Sequence, residues 1–349
     1  MTGKRQATIK DIAKGLGLSP STVSRALKDH PDISPDTKNA VRKLAEELDY
    51  QPNSLALGLH RGKSNIIGVV IPQIKHHFFS SVISGIEERA QKSGYNVMIC
   101  QSNESYEREI SNIRTLVSLR VDGILISITK ETYNYDHLFN VMKRKIPIVF
   151  FDRPPHATLC DRCIIDDYAA AFSAVEHLIS LGRKNIIHFA GPDNVRIGAD
   201  RQRGYVDAMK RYKIYGGDKM IYKCDKFAEA VKTVGEFCKT GDIPDAIFAV
   251  NDMTAIGAVM ALAKNGVKVP EQTAVAGFTN GLISQVTTPP LTTVDQNGSL
   301  IGMKATELLL KRIDTQIFEP FETVIVPTKL IVRGSTVKGA ENFSDVFWG

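Results

Sequence analysis

Ser19, Ser21, Thr22, Ser24 and Arg25 place four hydroxyls and one guanidinium within the stretch SPSTVSR. Hydroxyls reach DNA phosphates or base edges, and arginine favours guanine in the major groove. A second set lies farther along: the aromatic pair Phe78-Phe79 with Asp152, Arg201, Asn251 and Asp252, each after a strand or at a loop edge. Carboxylates, an amide and an arginine converging on a cleft bind sugar hydroxyls or hold an anionic group. Asp252 also has an ordinary use, since an aspartate at a helix start caps it. Cys160-Asp161-Arg162-Cys163 has the spacing of a redox or zinc pair, but no second cysteine pair or spaced histidine pair completes a tetrahedral site. His76-His77 likewise lacks partners, so neither a metal nor a cofactor is expected. No G-x-x-x-x-G-K-[ST], G-x-S-x-G or H-E-x-x-H stretch supports catalysis, and the chain reads as a binder rather than an enzyme.

The hydroxyl set needs a rigid element, and IKDIAKGLGLSPSTVSRAL supplies two short helices with a tight turn. Ile9, Ile12 and Ala13 share a face of the first, which Gly15-Leu16-Gly17-Leu18 breaks. Ser19 is placed to cap the second, and Pro20 fits its first position because proline has no N–H to waste there. Val23, Ala26 and Leu27 pack inward while the hydroxyls and Arg25 face out. Ser34-Pro35 opens a third helix to about Leu48, with Val41, Leu44, Ala45 and Leu48 as its apolar stripe. Pro52 starts a weak helical run, NSLALGLHRG, whose Leu55 and Leu59 have nothing nearby to cover them. Such a segment is a frayed linker or one that folds on meeting a partner.

From Asn65 onward, apolar runs such as IIGVVI alternate with helical stretches. Runs apolar on both faces are parallel strands, and two series of such βα units predict two doubly wound lobes. LTTV and the final IVPTKLIVR read as strands returning between the lobes. The strand ends of parallel sheets are where such folds hold ligands, which is where the second polar set falls.

At 349 residues two or three domains are expected. A net charge of +6 is mild for a nucleic-acid binder and fits a basic surface confined to one end. No apolar run approaches the roughly 18 residues of a membrane span. MTGKRQATIK has no apolar leader region, and five scattered cysteines argue for reduced thiols, so a cytoplasmic protein is expected.

TIKDIAKGLGLSPSTVSRAL followed by YQPNSLALGL resembles the headpiece and hinge helix of the lac-repressor (LacI) family of bacterial transcription regulators. HLISLGRKNIIHFAGP, DAIFAVNDMTAIGAVMALAKNGVKVPE and TPPLTTVDQ are similar to that family's effector domain, so the resemblance covers nearly the whole chain. It implies an all-α helix-turn-helix headpiece (1–50), a hinge helix (51–63) and a two-lobed α/β effector domain like periplasmic sugar-binding proteins (64–340). The N-lobe is expected over about 64–162 and 293–322, and the C-lobe over about 163–292 and 323–340. DNA contacts are implied at Thr8, Ser19, Pro20, Ser21, Thr22, Ser24, Arg25, Asn53, Ala56, Leu59 and His60. Leu59 falls where the family wedges a leucine into the central base step. Leu57 departs from the basic residue often found two positions before that wedge.

Effector contacts are implied at Phe79, Asp152, Arg201, Asn251, Thr279 and Gln296. Where many members have G-[FY]-D-[DN], this chain has Gly277-Phe278-Thr279-Asn280, so one carboxylate is missing beside a retained arginine. A neutral or anionic carbohydrate follows as the expected effector, with a purine stacked on Phe79 as second choice. The tail GSTVKGAENFSDVFWG has no leucine heptads, so a homodimer on a double-stranded, roughly palindromic operator is expected rather than a tetramer. Two rivals share features: a regulator controlled by a partner protein, and a solute-binding protein, which would need an export signal and no headpiece.

Overall fold

The computed structural model describes residues 7–50, 63–155, 160–192 and 194–340. It divides into two units, Met1–Ser64 and Asn65–Gly349. The first holds α1 (Ile9–Leu16), α2 (Pro20–Leu27) and α3 (Pro35–Glu47) around Ile12, Val23, Ala26 and Val41, all without solvent exposure. Ser19 Oγ accepts from the Thr22 N–H at 3.1 Å and Ser34 Oγ from Thr37 at 3.3 Å, so both Ser-Pro pairs start helices as their chemistry requires. The break after α1 falls at Gly17, whose φ of 63° suits glycine, rather than at Gly15. Gly15 remains helical, and a Cβ there would lie 2.7 Å from a Leu44 methyl. Leu48, expected to close the α3 stripe, is 39% exposed.

The second unit contains two six-stranded sheets. The N-lobe sheet runs β11-β5-β4-β3-β1-β2, all parallel, from β1 (Ile66–Ile71), β2 (Asn96–Gln101), β3 (Gly123–Ile126), β4 (Ile148–Phe151), β5 (Asp161–Ile165) and β11 (Thr323–Val326). The C-lobe sheet runs β12-β10-β9-β8-β6-β7, from β6 (Ile186–Ala190), β7 (Ile221–Lys223), β8 (Ala246–Ala249), β9 (Ala274–Thr279), β10 (Thr292–Asp295) and an antiparallel β12 (Lys329–Ile331). Helices α4 (His77–Lys92), α5 (Tyr106–Ser118) and α6 (Asp136–Lys143) belong to the N-lobe series. The C-lobe series has α7 (Asp167–Ser180), α8 (Arg196–Arg211), α9 (Phe227–Thr240), α10 (Asp252–Lys264) and the short α11 (Leu282–Val286). Helix α12 (Gly298–Thr315) returns to the N-lobe and crosses α4 closely enough that a Cβ on Gly302 would lie 2.1 Å from the Val82 carbonyl oxygen.

The lobe boundaries differ from expectation by a few residues. All of β5 hydrogen-bonds within the N-lobe sheet, so the first crossing is at Asp166 rather than residue 162. β10 pairs with β9, Thr292 opposite Ala276, which puts residues 293–295 in the C-lobe. β11 pairs with β5, Thr323 opposite Arg162, which puts residues 323–326 in the N-lobe. Apolar alternation marks a strand without saying which sheet it joins; register with a distant partner decides that.

Candidate functional site

In the headpiece Ser21 and Arg25 are exposed while Thr22 and Ser24 are partly covered, so α2 offers the hydroxyl and guanidinium face over a buried Val23 and Ala26. Ser19 Oγ also lies 2.7 Å from Ser21 Oγ and 2.8 Å from Thr22 Oγ1, which fixes three hydroxyls into one cluster at the helix start. Pro20, exposed, is the first residue of α2. The Thr8 hydroxyl and N–H both donate to Asp11, at 2.7 and 2.8 Å, so Thr8 is committed to starting α1. Asn53, Ala56, Leu59 and His60 lie outside the described residues.

In the effector unit the ends of the strands from the two lobes face each other. Lys130, after β3, pairs its ammonium with Asp225, after β7, and the Asn194 amide, after β6, donates to the Lys130 carbonyl. Beside Asn194, residues of both lobes (Ile128, Thr129 and Arg153 with Val195 and Arg196) line a small cavity, which Phe79, Asp152, Arg201, Asn251, Thr279 and Gln296 do not line. Phe79, on the first turn of α4, is 3% exposed, and the Arg153 guanidinium lies 5.8 Å from its ring centre. Asp152 follows β4 with a φ of 58°, and Thr279 ends β9 with a φ of 141°. Left-handed backbone at an aspartate is uncommon, and at a β-branched residue it is an outlier of the kind concentrated at ligand sites. Ser127 Oγ donates to Asp152 at 3.4 Å, and burial pushes the Asp152 carboxyl up against the pull of Arg153 and Arg201.

Arg201, 4% exposed on α8, is held from three sides. Its Nε donates to Asp167 at 2.8 Å, its Nη1 donates to the Val250 carbonyl at 2.7 Å, and its carbon lies 3.6 Å over the Phe278 ring. Nothing local in the sequence marks Lys130, whereas the paired Asp166-Asp167 opening a helix is the signal available for Asp167. Asn251 departs from its expected role as an open amide. Its Oδ1 accepts from the Thr254 N–H and its Nδ2 donates to the Asp225 carbonyl, both at 2.9 Å. The cap of α10 is therefore Asn251 rather than Asp252. Asp252 is buried and instead accepts from Gly281 N–H at 2.9 Å and Thr293 Oγ1 at 2.5 Å, and burial raises its carboxyl to about 6.

Thr279 is half-buried at the strand end, whereas the Asn280 side chain accepts from Arg333 at 2.8 Å. Gln296 is buried at the second crossing. The Cys163 thiol donates to the Ile301 carbonyl, and burial pushes it up to about 12, which removes it from thiolate chemistry. His76 caps no helix with its ring, which lies 2.9 Å from Gln73.

Residues 8–53 match the family model for bacterial regulatory proteins of the lacI family, and residues 64–333 match that for periplasmic binding proteins and the sugar binding domain of the LacI family. The chain belongs to the LacI family. It is 32% identical to the HTH-type transcriptional repressor PurR of Vibrio atlanticus (strain LGP32), covering 95% of this chain and 99% of that one. A ribose operon repressor of Halalkalibacterium halodurans is also 32% identical, with 96% and 98% covered. Among solved structures, the lac repressor dimer bound to operator and the anti-inducer ONPF superposes with a TM-score of 0.83 at 25% identity, covering 95% of this chain and all of that one. The LacI-family chain is thus a DNA-binding transcriptional regulator with an effector-binding domain, and its work is binding rather than catalysis. Among the described residues no helix is long and apolar enough to cross a membrane.

Proposed function

We propose that the protein is a cytoplasmic repressor that binds a roughly palindromic operator as a homodimer and changes its grip when a carbohydrate enters the cleft. The observation that carries this is Arg201, buried at the strand ends and fixed by Asp167, Val250 and Phe278 so that its fork is set before any ligand arrives. Phe79 supplies an apolar wall, and Asp152, Thr279 and Gln296 supply polar groups from both lobes. A match to a sugar-binding family domain favours a carbohydrate over a purine. Asn251 acts through Asp225, whose side chain holds Lys130 across the cleft.

Arg25, Ser21, Thr22 and Ser24 read the major groove, with Thr8, Ser19 and Pro20 at the helix starts nearest phosphate. Asn53, Ala56, Leu59 and His60 enter the minor groove from paired hinge segments. The second copy of the chain covers Met253 and Met260 on α10 and Leu282, Ile283 and Val286 on α11, all exposed and apolar.

A thermal-shift screen of the purified chain against neutral sugars, sugar acids and nucleosides tests the effector. Stabilisation by a carbohydrate, abolished in Arg201→Gln, is the expected outcome. Stabilisation by nucleosides alone would put a purine on Phe79, and no response from any compound would favour control by a partner protein.

A further inference from the structure

We infer that Asp167 is the charge-compensating and positioning partner of Arg201, and that the pair selects an uncharged, hydroxyl-rich effector and rejects anions. This rests on the reading that Arg201 meets the effector, and it narrows that effector's class. Asp167 is the first residue of α7, immediately after the crossing at Asp166, and is 6% exposed. One of its oxygens lies 2.8 Å from both Nε and Nη2 of Arg201. With Nη1 bound to the Val250 carbonyl, three of the five guanidinium N–H groups are directed to protein acceptors. One N–H on each terminal nitrogen is left for a ligand. Those two suit a pair of sugar hydroxyl oxygens as well as a carboxylate, so hydrogen-bond geometry alone does not choose between them.

Charge chooses. Asp167 stands at a helix N-terminus, where the dipole favours its ionised form. Asp152, on the other lobe, lies within electrostatic reach of both Arg201 and Asp167. Arg153, the neighbouring cation, is already paired with Glu104 at 2.9 Å and lies 3.5 Å from Asp152. Arg201 and Arg153 therefore face Asp167, Asp152 and Glu104, while the other two cations beside the cleft, Lys130 and Arg196, are paired with Asp225 and Asp200. An anion bound to Arg201 enters a desolvated site with no surplus positive charge, whereas a neutral polyol needs only hydrogen bonds. The missing carboxylate at Thr279 had pointed to an acidic sugar as readily as a neutral one; Asp167 restores the balance from a different element.

Burial pushes the Asp167 carboxyl up to about 7, against the pull of Arg201 and with Asp152 and Asp200 adding to the rise. Protonation of Asp167 leaves Arg201 with Asp152 as its remaining nearby carboxylate, so the exclusion of anions should weaken as pH falls.

Inorganic sulfate at millimolar concentration is a probe that needs no knowledge of the effector. At pH 8 the full-length wild type should show no more thermal stabilisation by sulfate than by chloride at equal ionic strength. Asp167→Asn should gain roughly 2–4 °C from sulfate, and Asp167→Asn with Arg201→Gln should lose that gain. A merely structural Asp167 would move the unfolding midpoint without creating an anion response. No gain in Asp167→Asn, or an equal response in wild type at pH 8, would overturn the inference. Should Asp167→Asn not fold, Asp167→Ser takes its place in the same comparison at pH 8, and no sulfate gain there would overturn the inference equally. A sulfate response in Asp167→Asn beside an empty carbohydrate screen would sink only the carbohydrate reading.

Discussion

Arg25→Ala should cost specific operator binding about 1–3 kcal/mol, the worth of one bidentate base contact, and relax base choice at one position. Fluorescence anisotropy with a selected operator and with random DNA separates this from a phosphate contact, which would weaken both alike. His188 carries a prediction about pH. It is buried on β6, stacked 5.1 Å from Tyr205 and 5.0 Å from Phe248, with Nδ1 donating to the Phe248 carbonyl and Nε2 without a hydrogen-bond partner among the described residues. Burial lowers its pKa from 6.5 to about 4. The unfolded chain therefore binds the extra proton first, so this contribution is complete above pH 6.5 and lost as pH falls toward 4. The difference is on the order of 3 kcal/mol. Asp167 and Asp252, with raised pKa values, act in the opposite sense over an overlapping range. Comparing wild type with His188→Phe isolates the histidine: the variant should lose less stability between pH 7 and pH 5 in urea unfolding, and equal losses would contradict the assignment.

Helix α12 meets α4 at Gly302, where an added methyl would collide with the Val82 backbone rather than with a yielding side chain. Gly302→Ala should destabilise the effector unit by about 1–3 kcal/mol despite alanine's better helix propensity. A midpoint at or above that of wild type would show that the helices separate freely. Sequence patterns revealed elements wherever the cause was local. Ser19-Pro20 and Ser34-Pro35 start helices because a hydroxyl and a missing N–H suffice, and IIGVVI is a strand because both its faces are buried. What depended on distant partners was not legible. IVPTKLIVR divides into β11 and β12 on opposite lobes, and only their pairing with β5 and β10 reveals it. The site divides in the same way. Arg201 and Asp152 stood out by type and position, whereas Asp167, the use of Asn251 as a cap and the Lys130 clasp depend on side chains brought together by the fold.

The clasp gives the lobes a testable latch. Lys130→Asp should favour separated lobes and weaken effector binding, and adding Asp225→Lys should restore it; spin labels at Tyr133→Cys and Lys226→Cys report the distance directly, and an unchanged distance would remove the latch. Met260→Glu with Val286→Glu should give a monomer in sedimentation velocity, with operator affinity falling accordingly; an intact dimer would move the subunit interface elsewhere. The central claim is that a molecule in the cleft sets the headpiece's grip on DNA. Its most direct measurement is the operator dissociation constant of the full-length protein, with and without the saturating carbohydrate found by the thermal screen, in wild type and Arg201→Gln. The account predicts a change of at least about tenfold, or 1.4 kcal/mol, in wild type and none in the variant, with both proteins equal when no sugar is present. An operator affinity that stays the same in wild type while the cleft is saturated would contradict it.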